Sequence, residues 1–326
     1  METIRQRLSS FEAGEVIAFQ GLAMVPLFGA STEPDYLLLE EALALGCAHV
    51  DEVSESGDVN QLLFVNLCER PALLLDGEEI RGAKQNRVMN LSILAEAKST
   101  LHIPVSCVEA GRWRHEGRDF APTKQMHFAE GRAARMSHVS ASYKTNRSRQ
   151  ADQGAVWDSI SRKMERMELH SPSSAMADAY EQSEKLLEGY VQALKPVENQ
   201  VGAVFGIHGK AVGLECFDSA VTYAKVHEKI VRSFAIDAME RKARKEQDFS
   251  RKQAESFLKG VLGSPMESFD ALGLGQDVRV TSRTVRGGAL VHGGRVLHLC
   301  AFRATDGSSG NGRGSRLVRS SQRGRR

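Results

Sequence analysis

Residues 71–113 read PALLLDGEEIRGAKQNRVMNLSILAEAKSTLHIPVSCVEAGRW. The stretch contains three apolar runs whose length and β-branched content are typical of strands: 72–75, 88–94 and 103–108. Acidic, basic and amide side chains stand between and within these runs at a density that a connecting loop does not need. The stretch therefore predicts both a set of strands and a functional site that the strands carry.

The pair Asp76-Gly77 separates the segment 73–75 from the segment 78–80. Asp-Gly between two strand-like segments is a strong signal for a two-residue hairpin, because both residues tolerate positive φ. Together with shorter strands upstream, residues 61–108 are predicted to form an antiparallel β unit, either a sandwich or a strongly bent sheet.

Hydrophobic periodicity and turn signals predict further elements on both sides of this unit. The predicted strands are 16–28, 50–53, 61–67, 278–285, 289–292 and 295–302, with a turn at Gly293-Gly294 and a hairpin over 201–216 that turns at His208-Gly209. The predicted helices are 36–45, one from Asp152, one from Ser171-Pro172, one from Asp218 or Ser219, and 245–262. The fold class is therefore α+β: an N-terminal antiparallel β unit, sandwich-like, followed by a helix-rich α+β half with C-terminal hairpins.

Charge and composition divide the chain into four parts. The β unit with the polar stretch occupies 1–125, a basic connection 126–150, the α+β half 151–302 and a tail 303–326. The wider segment 111–149 carries nine Lys or Arg and three Asp or Glu with little apolar periodicity, so it is interpreted as a long, partly mobile connection. A solvated linker and a functional loop are both compatible with that composition.

The tail 303–326 holds seven arginines and one aspartate among glycines and serines, a net charge of +6. Such a composition cannot bury enough apolar surface to offset the entropy of ordering, so the tail is predicted to be disordered. Its charge suits at most a weak contact with RNA. Because the whole chain carries +2, the part before the tail carries −4 and is not a basic nucleic-acid binder.

Composition also restricts the compartment and the chemistry. No apolar run reaches the roughly 18 residues of a membrane helix, and residues 1–10 are charged, unlike a signal peptide. The five cysteines are scattered and lack CxxC spacing, which predicts neither a disulfide framework nor a cysteine zinc site. The histidines show no metal-ligand spacing. The expectation is a cytoplasmic protein without membrane contact and without a metal site.

Three glutamates are the candidate catalytic residues: Glu78, Glu79 and Glu109. Carboxylates held close together are the usual groups for general acid–base work or for hydrolysis of a glycosidic bond. Alternation along a strand places Glu78 and Glu79 on opposite faces, so at most one of them faces a given pocket. The alternative is a structural ionic network in which these acids pair with basic neighbours: Arg81, Lys84, Arg87 and Arg112.

Other polar side chains of the stretch are the candidate ligand-binding residues: Asp76, Lys84, Gln85, Asn86, Arg87, Asn90, Arg112 and Trp113. Lys84, Arg87 and Arg112 suit phosphate groups, arginine through its bidentate fork. Trp113 can stack a base or cap the core, and the amide side chains can hold a sugar. Glycine-rich phosphate loops do not occur in the sequence, and Cys107 in its apolar strand is interpreted as a buried, unreactive thiol.

Several long motifs resemble the ARG-and-rhodanese-phosphatase-associated protein domain family (ARPP), a bacterial group. The motifs are LLLDGEEIRGAKQNRVMN (73–90), IPVSCVEAGRW (103–113), ADQGAVWD (151–158), SPSSAMADAY (171–180), VGAVFGIHGKAVGLECFDS (201–219), RSFAIDA (232–238) and GGRVLHLCAF (293–302). The resemblance covers about 16–302. Ala151 stands where the family pattern usually has serine, and the tail is extra.

The resemblance implies a ligand class more than a reaction. The family name records an association with ADP-ribosylglycohydrolases and rhodanese-phosphatase proteins, which implies NAD, ADP-ribose or nucleotide metabolism in bacterial stress or defence. The expected partner is therefore a nucleotide or an ADP-ribose-like small molecule, and the cofactor stays unassigned. Three roles remain open: an enzyme with Glu79 or Glu109 as general acid–base, a non-catalytic sensor that uses the same cleft, and an assembly protein whose polar cluster is an interface.

Overall fold

The computed structural model describes residues 1–54, 57–82, 84–111, 120–240 and 248–304. Up to residue 146 its elements are α1 (Glu2–Ser9), β1 (Glu12–Ala13), β2 (Ile17–Phe19), β3 (Leu22–Phe28), β4 (Leu37–Leu38), α2 (Leu39–Ala44), β5 (Ala48–Glu52), β6 (Gln61–Asn66), β7 (Ala72–Leu74), β8 (Glu78–Gly82), β9 (Arg87–Met89), β10 (Ile93–Ala95), β11 (Ser99–Cys107), β12 (Phe120–Met126) and α3 (Ala129–Asn146). From residue 153 they are α4 (Gln153–Arg166), α5 (Met176–Gln182), α6 (Glu184–Ala193), β13 (Gln200–Ile207), β14 (Lys210–Phe217), α7 (Ala220–Glu240), α8 (Arg251–Leu262), β15 (Met266–Asp270), β16 (Gln276–Thr281), β17 (Val285–His292) and β18 (Arg295–Arg303).

The described strands form three sheets. A nine-stranded sheet has the order β1-β3-β13-β14-β18-β17-β16-β15, with β2 added to β3, and a six-stranded sheet has the order β12-β8-β9-β11-β6-β5. A three-stranded sheet, β10-β7-β4, contains the parallel pair β4–β7. The other pairs between these strands are antiparallel. The predicted α+β class, with an N-terminal strand-rich region and C-terminal hairpins, is confirmed.

Helices cover both faces of the nine-stranded sheet. Phe234 of α7 stacks on Phe205 of β13, with ring centroids 4.2 Å apart. The neighbouring residue Val204 belongs to the core on the other face, where it is clustered with Ile4 of α1 and Phe257 of α8. Every residue of β13 is buried, which is the pattern of a strand that is covered on both sides.

The first strands of the chain belong to the same sheet as the last ones. Val25 of β3 pairs with Val204 of β13. Main-chain hydrogen bonds therefore join the predicted parts 1–125 and 151–302. The division of the chain into those parts stays a prediction.

Several local predictions are confirmed because their signals are local. The Asp152 side chain accepts a hydrogen bond from a backbone N–H in the first turn of α4, as a helix cap does. His208 and Gly209, with φ of 46° and 76°, make the turn between β13 and β14. Gly293 and Gly294, with φ of 56° and 74°, do the same between β17 and β18.

The predicted hairpin at Asp76-Gly77 is wrong. The chain does turn, since Gly77 has a φ of 81° and the Glu78 N–H donates to the Leu75 carbonyl at 3.1 Å. However, β7 pairs with β10 and β4, whereas β8 pairs with β9 and β12. The turn passes the chain from one sheet to another, and buried arginines hold the Asp76 side chain in the interior.

The segment 16–28 is a hairpin and not one strand. Gln20 and Gly21, with φ of 41° and 81°, join β2 to β3. Gly21 also makes room for a neighbour, because a Cβ there would lie 2.3 Å from the His208 ring. The turn at Gln20-Gly21 therefore divides the predicted strand into two.

The irregular connection predicted for 111–149 is wrong where the structure describes it, since 120–126 is strand β12 and 129–146 is helix α3. The buried apolar side chains of α3 recur at helical spacing: Ala133, Met136, Val139 and Tyr143. Arg132 and Arg135 are buried beside them. These two arginines hide the periodicity, because arginine is ordinarily a surface residue.

Two predicted helix starts shift. The helix predicted from Ser171 begins at Met176, because the Ser171 hydroxyl accepts from the Ala175 N–H at 2.8 Å and forms a turn ahead of it. The helix predicted for 245–262 begins after Ser250, whose side chain caps α8. Residues 241–247 lie outside the described ranges, as do 305–326, to which most of the predicted disordered tail belongs.

Cys47 and Cys68 form a disulfide, which corrects the prediction that cysteine pairing plays no part. They are separated by 21 positions in the sequence, but the pairing of β5 with β6 brings their flanking residues together. The thiols of Cys107, Cys216 and Cys300 are free and buried. Within the described ranges, none of the helices combines the length and the apolar character that a membrane crossing requires.

Candidate acid–base site

Three carboxylates stand at the turn between β7 and β8, and each meets a different environment. Asp76 lies in the turn, and Glu78 and Glu79 are the first residues of β8. All three are buried. Glu78 and Glu79 leave the strand on opposite faces, so they do not share a pocket.

Asp76 belongs to a buried ion-pair cluster. Its Oδ1 accepts from Arg132 Nε and from Arg135 Nη2, both at 3.0 Å. Burial raises the pKa of this carboxyl, but Arg135 and Arg132 more than offset that effect, and the pKa lies below its ordinary value. Gly77 leaves space for this contact, since a Cβ there would lie 2.7 Å from Arg132 Cδ. Asp76 therefore anchors α3 to the turn, and its predicted ligand contact stays a prediction.

Glu78 is paired with helix α7. Its Oε1 accepts from Lys229 Nζ at 2.7 Å, and its Oε2 accepts from the Leu75 N–H at 3.4 Å. Burial lowers the pKa of Lys229, but Glu78 and Glu40 more than offset it, so the pKa lies above its ordinary value. The pair therefore joins β8 to α7 as two opposite charges.

Glu79 has the least satisfied carboxyl of the three. Its side chain is 0% exposed, its Oε2 accepts from Thr123 Oγ1 at 3.0 Å, and its Oε1 has no hydrogen-bond partner among the described residues. Burial is the largest influence on its pKa and raises it. Thr123 and Arg81 lower the pKa and Glu109 raises it, and the net result is a pKa of about 7. Glu79 can therefore give or take a proton near neutral pH.

Glu109 lies just beyond β11 and connects two loops. Its Oε2 accepts from the Asn86 N–H at 3.3 Å, and its Oε1 accepts from the Ser173 hydroxyl at 3.0 Å. Gln85 Nε2 donates to the Glu109 carbonyl at 2.8 Å. Because the Glu109 charge raises the pKa of Glu79, the two predicted carboxylates are electrostatically coupled.

The structure does not bring Arg87 to the side of Glu79. The register of β8 and β9 places Arg87 opposite Ile80 and Val88 opposite Glu79. Residues directly opposite each other in an antiparallel pair share a face of the sheet, so Arg87 and Glu79 point to opposite faces. Arg87 Nη1 donates instead to Gln85 Oε1 at 3.2 Å. The predicted polar cluster is thus divided by the sheet.

The Asn90 side chain forms hydrogen bonds with the backbone of two other segments. Its Nδ2 donates to the carbonyls of Val105 at 3.3 Å and Arg149 at 3.2 Å, and its Oδ1 accepts from Ser106 Oγ at 2.7 Å. Both amide protons and the amide oxygen are therefore engaged.

Lys84 and Asn86 are buried just ahead of β9. The Lys84 N–H donates to Glu52 Oε1 at 3.4 Å, which ties this segment to β5. Arg112 and Trp113 belong to 112–119, outside the described ranges. Their phosphate and base contacts stay predictions.

Two residues at the site were missed by sequence reasoning. Arg81 was considered only as a partner in an ionic network, although its position two residues after Glu79 on one strand gives both the same face. Thr123 comes from β12, 44 residues away in the sequence. Strand alternation could have identified Arg81, whereas only the pairing of β12 with β8 identifies Thr123.

Two groups of described side chains are close enough to hold a metal ion: Glu215, His298 and Cys300, and Glu130, Asp237 and Glu240. Arg132 contacts the first group through Glu215, and Lys163 contacts the second through Asp237 and Glu240. A cationic side chain thus already compensates the acidic residues of each group. Neither group includes a predicted site residue.

Residues 10–302 match the sequence profile of ARPP-1, the ARG and Rhodanese-Phosphatase-superfamily-associated Protein domain. The chain belongs to this family. The ARPP-1 match extends from Ser10, ahead of β1, to Phe302 in β18, so it includes all three sheets. It confirms the family that the motifs indicate. No curated protein and no solved structure matches the chain significantly.

Proposed function

We propose that this ARPP-1 chain binds a phosphorylated ribose compound of the ADP-ribose and NAD class, and that Glu79 acts on the compound as a general acid–base. The observation that carries the proposal is the Glu79 carboxyl itself, which is fully buried, has one oxygen without a hydrogen-bond partner among the described residues, and has a pKa of about 7. Stability alone does not favour such a group, because a buried polar atom without a partner costs free energy.

Two coupled carboxylates suit the hydrolysis of a glycosidic bond. In that reaction one carboxylic acid protonates the leaving group while a second carboxylate activates water. Glu79, protonated up to about neutral pH, takes the first role. Glu109, which accepts hydrogen bonds on both of its carboxylate oxygens, takes the second.

Arg81 supports an anionic ligand on this face of the sheet. Its charge lowers the pKa of Glu79, so the guanidinium lies within electrostatic reach of the carboxyl. Its own partner is weak, since Nη1 lies 3.7 Å from Glu181 Oε1 and both side chains are more than half exposed. A phosphate group can therefore replace Glu181. The family resemblance alone supports the ribose nucleotide as the ligand and bacterial stress or defence as its context.

The test combines binding and turnover with ADP-ribose and NAD. A ligand at 100 times its dissociation constant stabilises the folded chain by about 2.7 kcal/mol, so thermal shifts detect binding. We expect Glu79→Gln to keep the shift and to lose about 10²- to 10⁴-fold in turnover. We expect Arg81→Ala to lose the shift.

Glu78→Gln is the matched control, because it removes a carboxylate from the adjacent residue on the opposite face. It should leave turnover unchanged once its lower stability is taken into account. A wild-type chain that neither shifts nor converts either compound contradicts the proposal. A shift without conversion favours the non-catalytic sensor.

A further inference from the structure

Ser92, His298 and Glu215 form a continuous chain of hydrogen bonds between two sheets. Ser92 lies in the bend between β9 and β10, His298 in β18 and Glu215 in β14. Ser92 Oγ lies 2.6 Å from His298 Nδ1, and His298 Nε2 lies 2.8 Å from Glu215 Oε2. A hydroxyl, a base in hydrogen-bond reach and a third group that orients the base are the parts of an activated nucleophile.

The neighbouring contacts fix where the protons lie. Glu215 Oε1 accepts from Arg132 Nη1, so Glu215 is a carboxylate and can only accept at Oε2 as well. In the neutral imidazole this contact places the His298 proton on Nε2, which leaves Nδ1 as an acceptor. Ser92 Oγ accepts from the Asp76 N–H at 2.9 Å, which leaves its own proton available to donate to Nδ1 of a neutral His298.

Burial differs along the chain of hydrogen bonds. Glu215 and His298 are 0% and 1% exposed, whereas Ser92 is half-buried. The His298 ring is also held in place by Phe217, which stacks on it with centroids 4.6 Å apart. Ser92 is thus the least buried of the three residues, and the base and its orienting group are fixed behind it.

Ser92 opens on a small crevice that it shares with Arg279 and Cys300. The free volume is about 10 Å³, close to the space of one water molecule. A carbonyl oxygen fits this space, whereas a whole substrate does not. Arg279 Nη2 donates to Asp277 Oδ2 at 2.6 Å, and its buried Nε, which has no hydrogen-bond partner in the described part of the chain, is the donor left for negative charge that develops there.

We infer that Ser92 is a nucleophile, with His298 as its general base and Glu215 as a positioning residue, and that the substrate is a carboxylic ester with a small acyl group. The ester presents its carbonyl at the mouth of the crevice, and its alcohol part remains outside. Neither Glu79 nor Glu109 takes part, so this inference does not depend on the acid–base site.

The reaction balances without a further reagent. Ser92 Oγ forms a bond to the acyl carbon while its proton moves to His298 Nδ1, and the bond from that carbon to the leaving oxygen breaks. His298 returns the proton to the leaving alcohol. Water then attacks the acyl-serine, again through His298, and releases the acid and free Ser92.

The experiment uses para-nitrophenyl acetate with the full chain. We expect a burst of nitrophenolate equal to the protein concentration and an acetyl group on the peptide that contains Ser92, found by mass spectrometry. Ser92→Ala should abolish both while the chain stays folded, as circular dichroism would show, with a lower melting temperature because two hydrogen bonds are lost. His298→Asn should slow the burst at least about 100-fold.

The variant Glu215→Gln tests whether Glu215 orients the His298 ring for catalysis or only stabilises the fold. An amide can donate to Nε2 and so allow the other tautomer, in which Nδ1 no longer accepts from Ser92. We therefore expect a lower kcat with an unchanged KM.

Ser106→Ala is the matched control, since Ser106 is a buried serine that also bonds a polar side chain. It should keep the burst. A wild-type chain without a burst overturns the inference, and so does a burst that survives in Ser92→Ala. Because Ser92→Ala removes only a hydroxyl from a half-buried position, the result does not depend on whether the His298 variant folds.

Discussion

Asp76 and Glu79 are two buried carboxylates three residues apart in the chain, and their surroundings are opposite. Asp76 accepts from two arginines, which hold its pKa below the ordinary value. Glu79 accepts from one threonine, and burial raises its pKa to about 7. Burial is common to both, so burial alone does not determine the charge.

The difference teaches where to look for function in a buried polar cluster. A carboxylate paired with two buried arginines holds elements together, as Asp76 holds α3 through its Oδ1. A buried carboxylate such as Glu79, which accepts from a neutral threonine and has no cation within ion-pair distance among the described residues, costs stability in the empty protein. Asp76 and Glu79 can therefore be distinguished by how the free energy of unfolding changes when the charge of each is removed.

The largest effect is expected for Asp76→Asn. Removal of the charge leaves Arg132 and Arg135 buried with less compensation, and breaking a buried ion pair costs about 3–5 kcal/mol. Denaturant unfolding at pH 7 measures this cost. The exposed Asp158→Asn serves as the control and should stay within about 0.5 kcal/mol of wild type. A loss below about 1 kcal/mol for Asp76→Asn would remove the contrast with Glu79.

Glu79→Gln is expected to stabilise the chain at high pH. The folded carboxyl has a pKa of about 7 and its ordinary value is 4.5, so between these values the folded state binds more protons than the unfolded state. The free energy of unfolding of the wild type therefore falls as pH rises from about 4.5 to 7, by about 3 kcal/mol from this group.

The Glu79→Gln variant should lack this fall of the free energy of unfolding with pH. It should match the wild type near pH 4 and exceed its stability by up to about 3 kcal/mol at pH 8. Denaturant unfolding at pH 4, 6 and 8 provides the comparison. If the variant is less stable than the wild type at pH 8, the Glu79 carboxylate has a favourable partner and the comparison fails.

Glu78→Gln should cost about 2 kcal/mol, less than Asp76→Asn. Lys229 loses its nearest acid but keeps Glu40, whose carboxylate lies 3.1 Å away and is largely exposed. A double-mutant cycle with Lys229→Met isolates the pair. A coupling energy near zero would show that the contact between Glu78 and Lys229 does not join β8 to α7.

The smallest effect on stability, about 1 kcal/mol, is expected for Glu109→Gln, because the amide oxygen can still accept one of the two hydrogen bonds. Its informative effect is on Glu79. Since the Glu109 charge raises the pKa of Glu79, its removal should move the decline of stability with pH to lower pH. An unchanged decline would mean that the two carboxylates are not coupled.

Sequence patterns predict strands and turns well here, but not the sheets they join. Asp76-Gly77 does turn the chain, yet the signal says nothing about which strand becomes the neighbour of β8. Helix α3 was missed for a related reason, because Arg132 and Arg135 lie on its buried face and their partner Asp76 is 56 and 59 residues away. A periodicity that counts arginine as a surface residue cannot include such a face.

The candidate site was predicted in part. Alternation along β8 correctly separated Glu78 from Glu79, since that property depends on one strand only. The separation of Arg87 from Glu79 depends on the register between two strands, and the bond from Thr123 depends on a third. Neither the strand register nor the contact from β12 can be predicted from the sequence pattern of a single strand.

The pairing of β3 with β13 has a consequence for the order in which the chain can fold. Strand β3, LAMVPLF, is almost wholly buried in the finished sheet, where Val25 faces Val204 across the ladder. A ribosome adds roughly 5–20 residues per second, so this apolar strand is made about ten seconds or more before its partner. Sheets built from such distant pairings fold slowly and expose strand edges meanwhile. The first strands of this protein are therefore the segment that a chaperone would meet during synthesis.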